Sequence, residues 1–191
     1  MTYTIQPATP AQAPSIANLI IEAMTPDCCL HFVGPQHTLD DFRRIMTELV
    51  ASEGTQYSHQ GTLVALDAQG QVVGALVAYD GARLHALRQP FIDALRLHCQ
   101  RDLSSISDET QPGEFYIDSL AVLPAHRRQG IATALLQAAA ERARALQIPQ
   151  LGLLVDQGNP NGQRLYARAG FRQVGTANWG GHPMFHLQRT V

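Results

Sequence analysis

Residues Val122 to Ala132 read Val-Leu-Pro-Ala-His-Arg-Arg-Gln-Gly-Ile-Ala, and the interpretation of the whole chain starts from this stretch. It joins a predicted strand, Phe115–Val122, to a predicted helix, Ile131–Leu146. Gly130 allows a tight turn and a close approach of the backbone to a ligand. The first N–H groups of a helix lack internal partners and carry partial positive charge, so the turn predicts an anion site suited to a pyrophosphate.

This anion site has to be a local feature, because the chain as a whole is close to neutral. It has 14 Lys and Arg against 16 Asp and Glu, so no broad basic surface is available to bind nucleic acid. Arg127 and Arg128 are expected to add charge-assisted contacts at the rim. Such a turn is common and by itself establishes no activity. The residues assigned to the site are Arg127, Arg128, Gln129, Gly130, Ile131, Ala132 and Thr133.

Length and composition are those of an ordinary globular protein. The 191 residues are 45 % hydrophobic and 16 % charged, and no repeat or linker divides them. No apolar run approaches the roughly 20 residues that cross a bilayer, and the N-terminus lacks the pattern of a signal peptide. Cys28 and Cys29 are adjacent, and three cysteines do not suggest a disulfide framework. We expect one cytoplasmic domain, residues 1–191, with no membrane partner.

The second half of the chain alternates between strand and helix. Leu151–Val155 is a nearly continuous apolar run, typical of a strand buried on both faces, and with the preceding strand and helix it predicts a parallel βαβ unit. Residues 82–107 are predicted to form a helical insertion with a break at Pro90. The other predicted elements are strand 2–6, helix 9–23, loop 24–36, a helix capped by Thr38, a hairpin of 62–66 and 72–79, helix 161–169, and strands 171–176 and 184–188.

Three segments in this order resemble the GNAT superfamily of acetyl-CoA-dependent N-acetyltransferases. They are Phe115–Pro124 (FYIDSLAVLP), the Arg127-x-x-Gly-x-Ala loop, and Asn159–Phe171 (NPNGQRLYARAGF). The resemblance is strong over 115–175 and weak in the N-terminal part. One departure is Gly162, where the family commonly has alanine. The resemblance implies an α/β (α+β) fold, with a mixed, mostly antiparallel central sheet flanked by helices and a splayed parallel strand pair in its middle.

The resemblance also implies how acetyl-CoA is held. The pantetheine arm would pair with the backbone of Leu120, Ala121 and Val122, as an added strand does. Asn159 matches a position that helps to hold the cofactor, although it is equally well explained as the cap of a short helix. Tyr166 matches the family's general acid, which protonates the departing thiolate, and its alternative is a tyrosine of the core.

The general base is less clearly indicated. Alternation along strand 115–122 predicts that Glu114, Tyr116, Asp118, Leu120 and Val122 share one face. Asp118 is within reach of the acetyl group and matches a catalytic glutamate of the superfamily's diamine acetyltransferases, whereas it is otherwise explained as a structural carboxylate. In several protein-acetylating members the base position would fall on Tyr116, which cannot serve at neutral pH. Glu114, expected at the site mouth, and a water chain remain alternatives.

The sequence therefore predicts an enzyme that transfers acetyl to a primary amine by direct attack in a ternary complex. A small-molecule acceptor is favoured. A protein N-terminus or lysine and a non-catalytic acyl-CoA-binding or sensing module are the alternatives. The 82–107 insertion and the 24–37 loop are expected to shape the acceptor site, or the insertion forms a homodimer. No metal is expected, since the eight histidines do not combine with cysteines or carboxylates at metal-ligand spacing. Trp179 is expected to cover the edge of the core, with lining the acceptor pocket as its alternative.

Overall fold

Strands and helices alternate through residues 3–191, the part of the chain that the computed structural model describes. The strands are β1 Thr4–Pro7, β2 Thr62–Leu66, β3 Val72–Asp80, β4 Glu114–Val122, β5 Gln150–Asp156, β6 Arg172–Trp179 and β7 His182–Thr190. The α-helices are α1 Ala13–Met24, α2 Pro26–Val33, α3 Leu39–Ala51, α4 Leu84–Cys99, α5 Ile131–Ala145 and α6 Pro160–Arg168. Thr2 of the predicted first strand lies outside the described residues.

One mixed sheet holds the strands in the order β1-β2-β3-β4-β5-β7-β6. Only β4 and β5 pair in parallel, and the other neighbours in this order are antiparallel. The parallel pairing begins at Glu114 opposite Gln150 and ends at Ile117 opposite Leu153. Both strands continue beyond that point and diverge. The predicted fold class, with its splayed parallel pair, is confirmed.

Helices cover both faces of the sheet. On one face, α1 to α4 pack through Ile16, Phe32, Phe42 and Phe91 in a core that includes strand residues such as Val77. On the other face, α5 packs through apolar residues every three or four positions against the strands. The apolar periodicity of each helix therefore sets which of its sides packs against the sheet, and the diverged ends of β4 and β5 lie between the two helical layers.

Two local predictions were wrong. The predicted loop 24–36 contains α2, which begins with Pro26 at a position where proline is tolerated and buries Cys28, Cys29 and Phe32. Thr25 with φ of 72° separates α2 from α1. The predicted break at Pro90 does not occur, because Leu87, Phe91, Ile92 and Leu95 are buried on either side of it and hold α4 together. The α-helix ends at Cys99, well before residue 107.

The prediction of one shared face along β4 was also wrong. Ser119 pairs with Val77 and Ile117 pairs with Ala78, so Asp118 is an extra residue that has no partner on β3. Such a bulge reverses the alternation of side chains beyond it. Leu120 and Val122 consequently pack into the core under α5, together with Ile117, and away from Tyr116.

By length and hydropathy, no individual helix within residues 3–191 is suited to cross a membrane. The bent pair Pro10–Met24 and Pro26–Val33, which meet at 102°, passes that test together by length and composition only.

Candidate active site

A cavity of about 510 Å³ lies where β4 and β5 diverge. Asp118, Ser119 and Leu120 of β4 line it on one side, and Leu154, Val155 and Asp156 of β5 line it on the other. Its size is within the range of ligand pockets, about 300–1,000 Å³. The end of parallel pairing at Ile117 creates this space, so a feature of strand register positions the site.

Asp118 is half-buried in the cavity wall, at the bulge of β4. Its Oδ1 accepts a hydrogen bond of 2.9 Å from Ser119 Oγ, and its Oδ2 accepts one of 3.2 Å from Gln56 Nε2. Burial, and then the negative charge of Glu109, raises the pKa of Asp118 to about 7, against the lowering effect of these two donors. A carboxyl group with a pKa near neutrality is suited to accept and release protons.

Gln56 is a site residue that sequence reasoning missed. It is 1 % exposed, and its amide donates to a carboxylate 62 residues further along the chain. The Oε1 of the same amide is buried without a hydrogen-bond partner. Nothing in the local sequence marks Gln56, because it lies in an irregular segment between α3 and β2. Only the packing of that segment beneath the bulge brings it to Asp118.

Glu114, predicted at the site mouth, is instead 1 % exposed within the sheet. It accepts hydrogen bonds from Thr110 Oγ1, at 2.7 Å, and from Gln188. His186 Nε2 lies 2.8 Å from its Oε1. Burial acts to raise the pKa of Glu114, but these contacts outweigh it and lower the pKa. Glu114 is not among the residues that line the cavity, so its predicted position at the site mouth was wrong.

Tyr166 of α6 also lines the cavity, opposite the β4 wall. It is half-buried, and its ring meets that of Phe171 edge to face at 5.7 Å between centroids. Burial raises its pKa to about 12, so the phenol keeps its proton at neutral pH. Tyr166 therefore packs against the core while its side chain borders the cavity, and its role as a general acid stays a prediction.

Asn159 stands at the start of α6 and borders the same cavity. Its Oδ1 accepts a hydrogen bond of 2.9 Å from the N–H of Gly162, so the helix-capping role is present. A Cβ at Gly162 would lie 2.9 Å from Asn159 Nδ2. The glycine thus leaves room for the cap in its present conformation.

The tight turn predicted at Gly130 is present. Gly130, with φ of 83°, is the left-handed residue that begins α5, and Arg128 before it also has a positive φ of 61°. The first helical hydrogen bond runs from Ala134 N to Gly130 O, which leaves the N–H groups of Ile131, Ala132 and Thr133 without helical partners. Gln129 donates weakly to Ala125 O at 3.4 Å.

Arg127 is directed back towards the sheet. Its Nε donates to Val122 O at 2.9 Å, and its guanidinium lies 2.5 Å from Glu22 of α1.

Beyond Ile117 the edge of β4 that faces β5 has no strand partner, so the backbone of Leu120 and Ala121 borders an open edge. The free N–H groups of α5 and this edge fit the pyrophosphate and the amide-containing arm of coenzyme A.

Two regions that the sequence suggested for the acceptor site, the segment 24–37 and Trp179, both contribute to the cavity wall. Met24, Thr25 and Cys28, at the junction of α1 and α2, form one wall. Trp179, at the end of β6, forms another and packs 6.0 Å from Phe32 between ring centroids. Trp179 therefore both covers the core and lines the cavity.

Cys28 borders the cavity but does not have the character of a nucleophile. Burial raises the pKa of this thiol to about 11, and the charges of Asp118 and Asp156 act in the same direction. A thiol with such a pKa is protonated at neutral pH and reacts slowly. Within residues 3–191, no group of three or more His, Cys, Asp or Glu side chains is arranged to hold a metal ion.

A buried ion pair holds the segment after α4 against the cavity wall. Arg88 binds Glu109, which also accepts a hydrogen bond of 2.9 Å from Tyr79 Oη. The Arg88 guanidinium lies 5.5 Å from the centre of the Trp179 ring. The region predicted as an insertion thus supports Trp179 in the cavity wall.

Comparison with known proteins agrees with this geometry. Residues 29–171 match the acetyltransferase (GNAT) family. A crystal structure described as an acetyltransferase is 29 % identical, with a TM-score of 0.78, and the match covers 98 % of this chain and 99 % of that one. An N-acetyltransferase from Staphylococcus aureus Mu50 is 23 % identical, with a TM-score of 0.76 and coverage of 97 % and 100 %.

A third similar structure is a PaiA N-acetyltransferase from Thermoplasma acidophilum in complex with coenzyme A. It is 13 % identical, with a TM-score of 0.60, and both chains are covered completely, 100 % each. At this identity, and at that of the staphylococcal protein, the likeness shows the fold alone. No curated protein sequence matches the chain. The family match spans well over half of the chain, and the chain belongs to the GNAT acetyltransferase family, whose members bind acetyl-CoA.

Proposed function

We propose that this protein transfers the acetyl group of acetyl-CoA to the primary amine of a small molecule, by direct attack in a ternary complex. The observation that carries the proposal is the presence of Asp118 and Tyr166 in one cavity, with their pKa values raised to about 7 and about 12. A group that accepts a proton and a group that keeps one then border the same space. Such a pair would accelerate aminolysis of a thioester, in which the amine loses protons and the departing thiolate gains one.

Each side chain has one task in this scheme. Acetyl-CoA, when bound, supplies an acetyl group activated as a thioester. Asp118 accepts the proton that the acceptor ammonium loses before its nitrogen can attack the carbonyl carbon. Tyr166 donates its proton to the sulfur as the new N–C bond forms and the C–S bond breaks, and the second proton that the nitrogen then loses restores the phenol. Tyr116 is excluded as a base, because burial raises its pKa well above the usual value for tyrosine.

Support for a small acceptor comes from the walls of the cavity. Cys28 of α2 and Trp179 of β6 approach from different elements, and Gly180 of the β6–β7 turn lies directly against the Cys28 sulfur. These contacts narrow the space beside Asp118. A cytoplasmic location and a homodimer formed through the region around α4 remain predictions.

An assay of thiol release tests the proposal. Purified protein would be mixed with acetyl-CoA and a panel of small primary amines, amino acids and peptides with a free N-terminus or lysine. We expect small amines to accelerate release of CoA, and Asp118→Asn to abolish most of that acceleration. The control is Asp93→Asn, an equivalent change on the exposed face of α4.

Two results would contradict the proposal in different ways. If acetyl-CoA binds but no amine accelerates release of CoA, the protein is an acyl-CoA-binding module. If only peptides are acetylated, the reaction stands and the small-molecule acceptor is wrong.

A further inference from the structure

We infer that the acceptor is a cationic amine with an apolar or aromatic body and no carboxylate or phosphate group. This inference rests on the proposed function and narrows its substrate. It follows from the charges and side chains that line the cavity at the end of the parallel strand pair.

The ionised side chains of the cavity are acidic. Asp118 projects from β4 and Asp156 from β5, and no lysine or arginine is among the described residues that line the space. His182 is its one histidine, and its Nδ1 lies 3.0 Å from Oδ2 of Asp156. Above pH 7, where Asp118 is ionised, a substrate carboxylate placed here would face two carboxylates and would find no unpaired cation. A substrate ammonium would be attracted by both.

The nearest arginine of the acceptor wall does not change this balance. Arg88 lies behind Trp179, with its side chain 4 % exposed. It is paired with the equally buried Glu109 and also donates to the backbone carbonyls of Ile106 and Ser107. Its charge is therefore neutralised within the protein, and its two terminal NH2 groups are occupied by these partners.

The remaining wall is suited to an apolar body. Aromatic rings of Tyr57, Tyr116 and Trp179 border the space, together with the side chains of Met24 and Met184. Thioethers and aromatic faces bind apolar and aromatic groups, and aromatic faces also attract ammonium groups. The cavity therefore combines an attraction for cations with an apolar surface. An aromatic amine fits both features, whereas the corresponding amino acid carries an additional carboxylate, which the acidic side chains disfavour.

Matched pairs of acceptors test the inference. The specificity constant kcat/KM would be measured for phenethylamine against phenylalanine and for tryptamine against tryptophan, at saturating acetyl-CoA. We expect each amine to exceed its amino acid by at least about 100-fold, since juxtaposed like charges are costly. Phenylalanine methyl ester, which keeps the size but lacks the anionic charge, is expected to react more like the amine.

A variant links the preference to the cavity. Asp156→Asn keeps an oxygen that can accept the hydrogen bond from the N–H of Gly158, while it removes one of the two charges. We expect the ratio of amine to amino acid to fall by about 10-fold in Asp156→Asn, because selection by charge acts through both carboxylates. The KM for acetyl-CoA should change little, and Asp93→Asn should leave the ratio unchanged.

The outcomes separate this inference from the proposed function. If phenylalanine is acetylated as well as phenethylamine, or if the ester behaves like the amino acid, selection by charge is refuted while acetyl transfer to amines stands. If peptides react and no small amine does, the inference is also overturned. If no amine of any kind releases CoA, the proposed function itself fails and the inference fails with it.

Discussion

The two carboxyl groups on β4 have pKa values that are shifted in opposite directions. Glu114 lies where β4 is paired with β5, and Asp118 lies four residues later, where the strands have separated. The pKa of Glu114 is lowered by three partners that outweigh burial, whereas the pKa of Asp118 is raised by burial to about 7. A carboxylate within the paired sheet is saturated with donors, and one at the diverged end is left able to exchange a proton.

The comparison explains why only one of them is suited to catalysis. Glu114 fills the space above Gly152, where a Cβ would come within 2.7 Å of its carboxyl group. Contacts with β5 and β7 hold its carboxyl group in place. Asp118 has two donors and borders a cavity. Position relative to the end of strand pairing therefore separates a structural acid from a candidate base.

The largest expected effect is on activity. Asp118→Asn should lower kcat/KM by about 10³-fold, within the usual contribution of a general base. Glu114→Gln should lower it by less than about 10-fold, since Glu114 does not border the cavity. Steady-state kinetics of both variants, with the best acceptor found, would measure this. Equal losses in the two variants would refute the division of roles along β4.

The same two variants should also change the free energy of unfolding, with opposite signs. The pKa of Glu114 is lower in the folded protein than in the unfolded chain, so its charge stabilises the fold at pH values above the unfolded-state pKa. This stabilisation is lost as the pH falls. The raised pKa of Asp118 means that stability declines as pH rises from about 4 to about 7. At pH 8, Glu114→Gln should lose about 1–3 kcal/mol and Asp118→Asn should gain up to about 2 kcal/mol. Chemical denaturation measures both, and a destabilised Asp118→Asn would contradict the assignment.

The pH dependence of the reaction should follow Asp118. Its carboxyl group is protonated below a pKa of about 7 and cannot then accept a proton. We therefore expect kcat to rise about tenfold per pH unit below this value and to level off above it. A profile that levels off near pH 4 would show that a carboxylate with an ordinary pKa, or none, acts as the base.

The smallest expected effect is that of Gln56, which adjusts the same group. Gln56→Leu removes the donor to Asp118 Oδ2, so the pKa of the carboxyl group should rise by about one unit, the equivalent of one hydrogen bond to a charged group. The midpoint of the pH profile should move upward while kcat at high pH stays nearly constant. A uniform loss of activity at every pH would instead indicate a structural role for Gln56.

Much of the fold was accessible from local patterns. The periodicity of 131–146 and the apolar run 151–155 predict the βαβ unit, because both depend on the repeat of the element itself. The Thr38 cap and the hairpin of β2 and β3 were found for the same reason. Helix α2 was missed because it is short and is bounded by Pro26 and Gly34, and its helical form depends on burying Phe32 against α3 and α4.

The sequence by itself determined the family and the tight turn at Gly130, and it named the two candidate catalytic residues. These are properties of residue type and spacing. The tertiary structure alone decided that Asp118 stands in a bulge, that Gln56 reaches it from 62 residues away, and that no free cation lines the described cavity. Burial and long-range contacts set the pKa of a carboxyl group, and neither is encoded in the residues beside it.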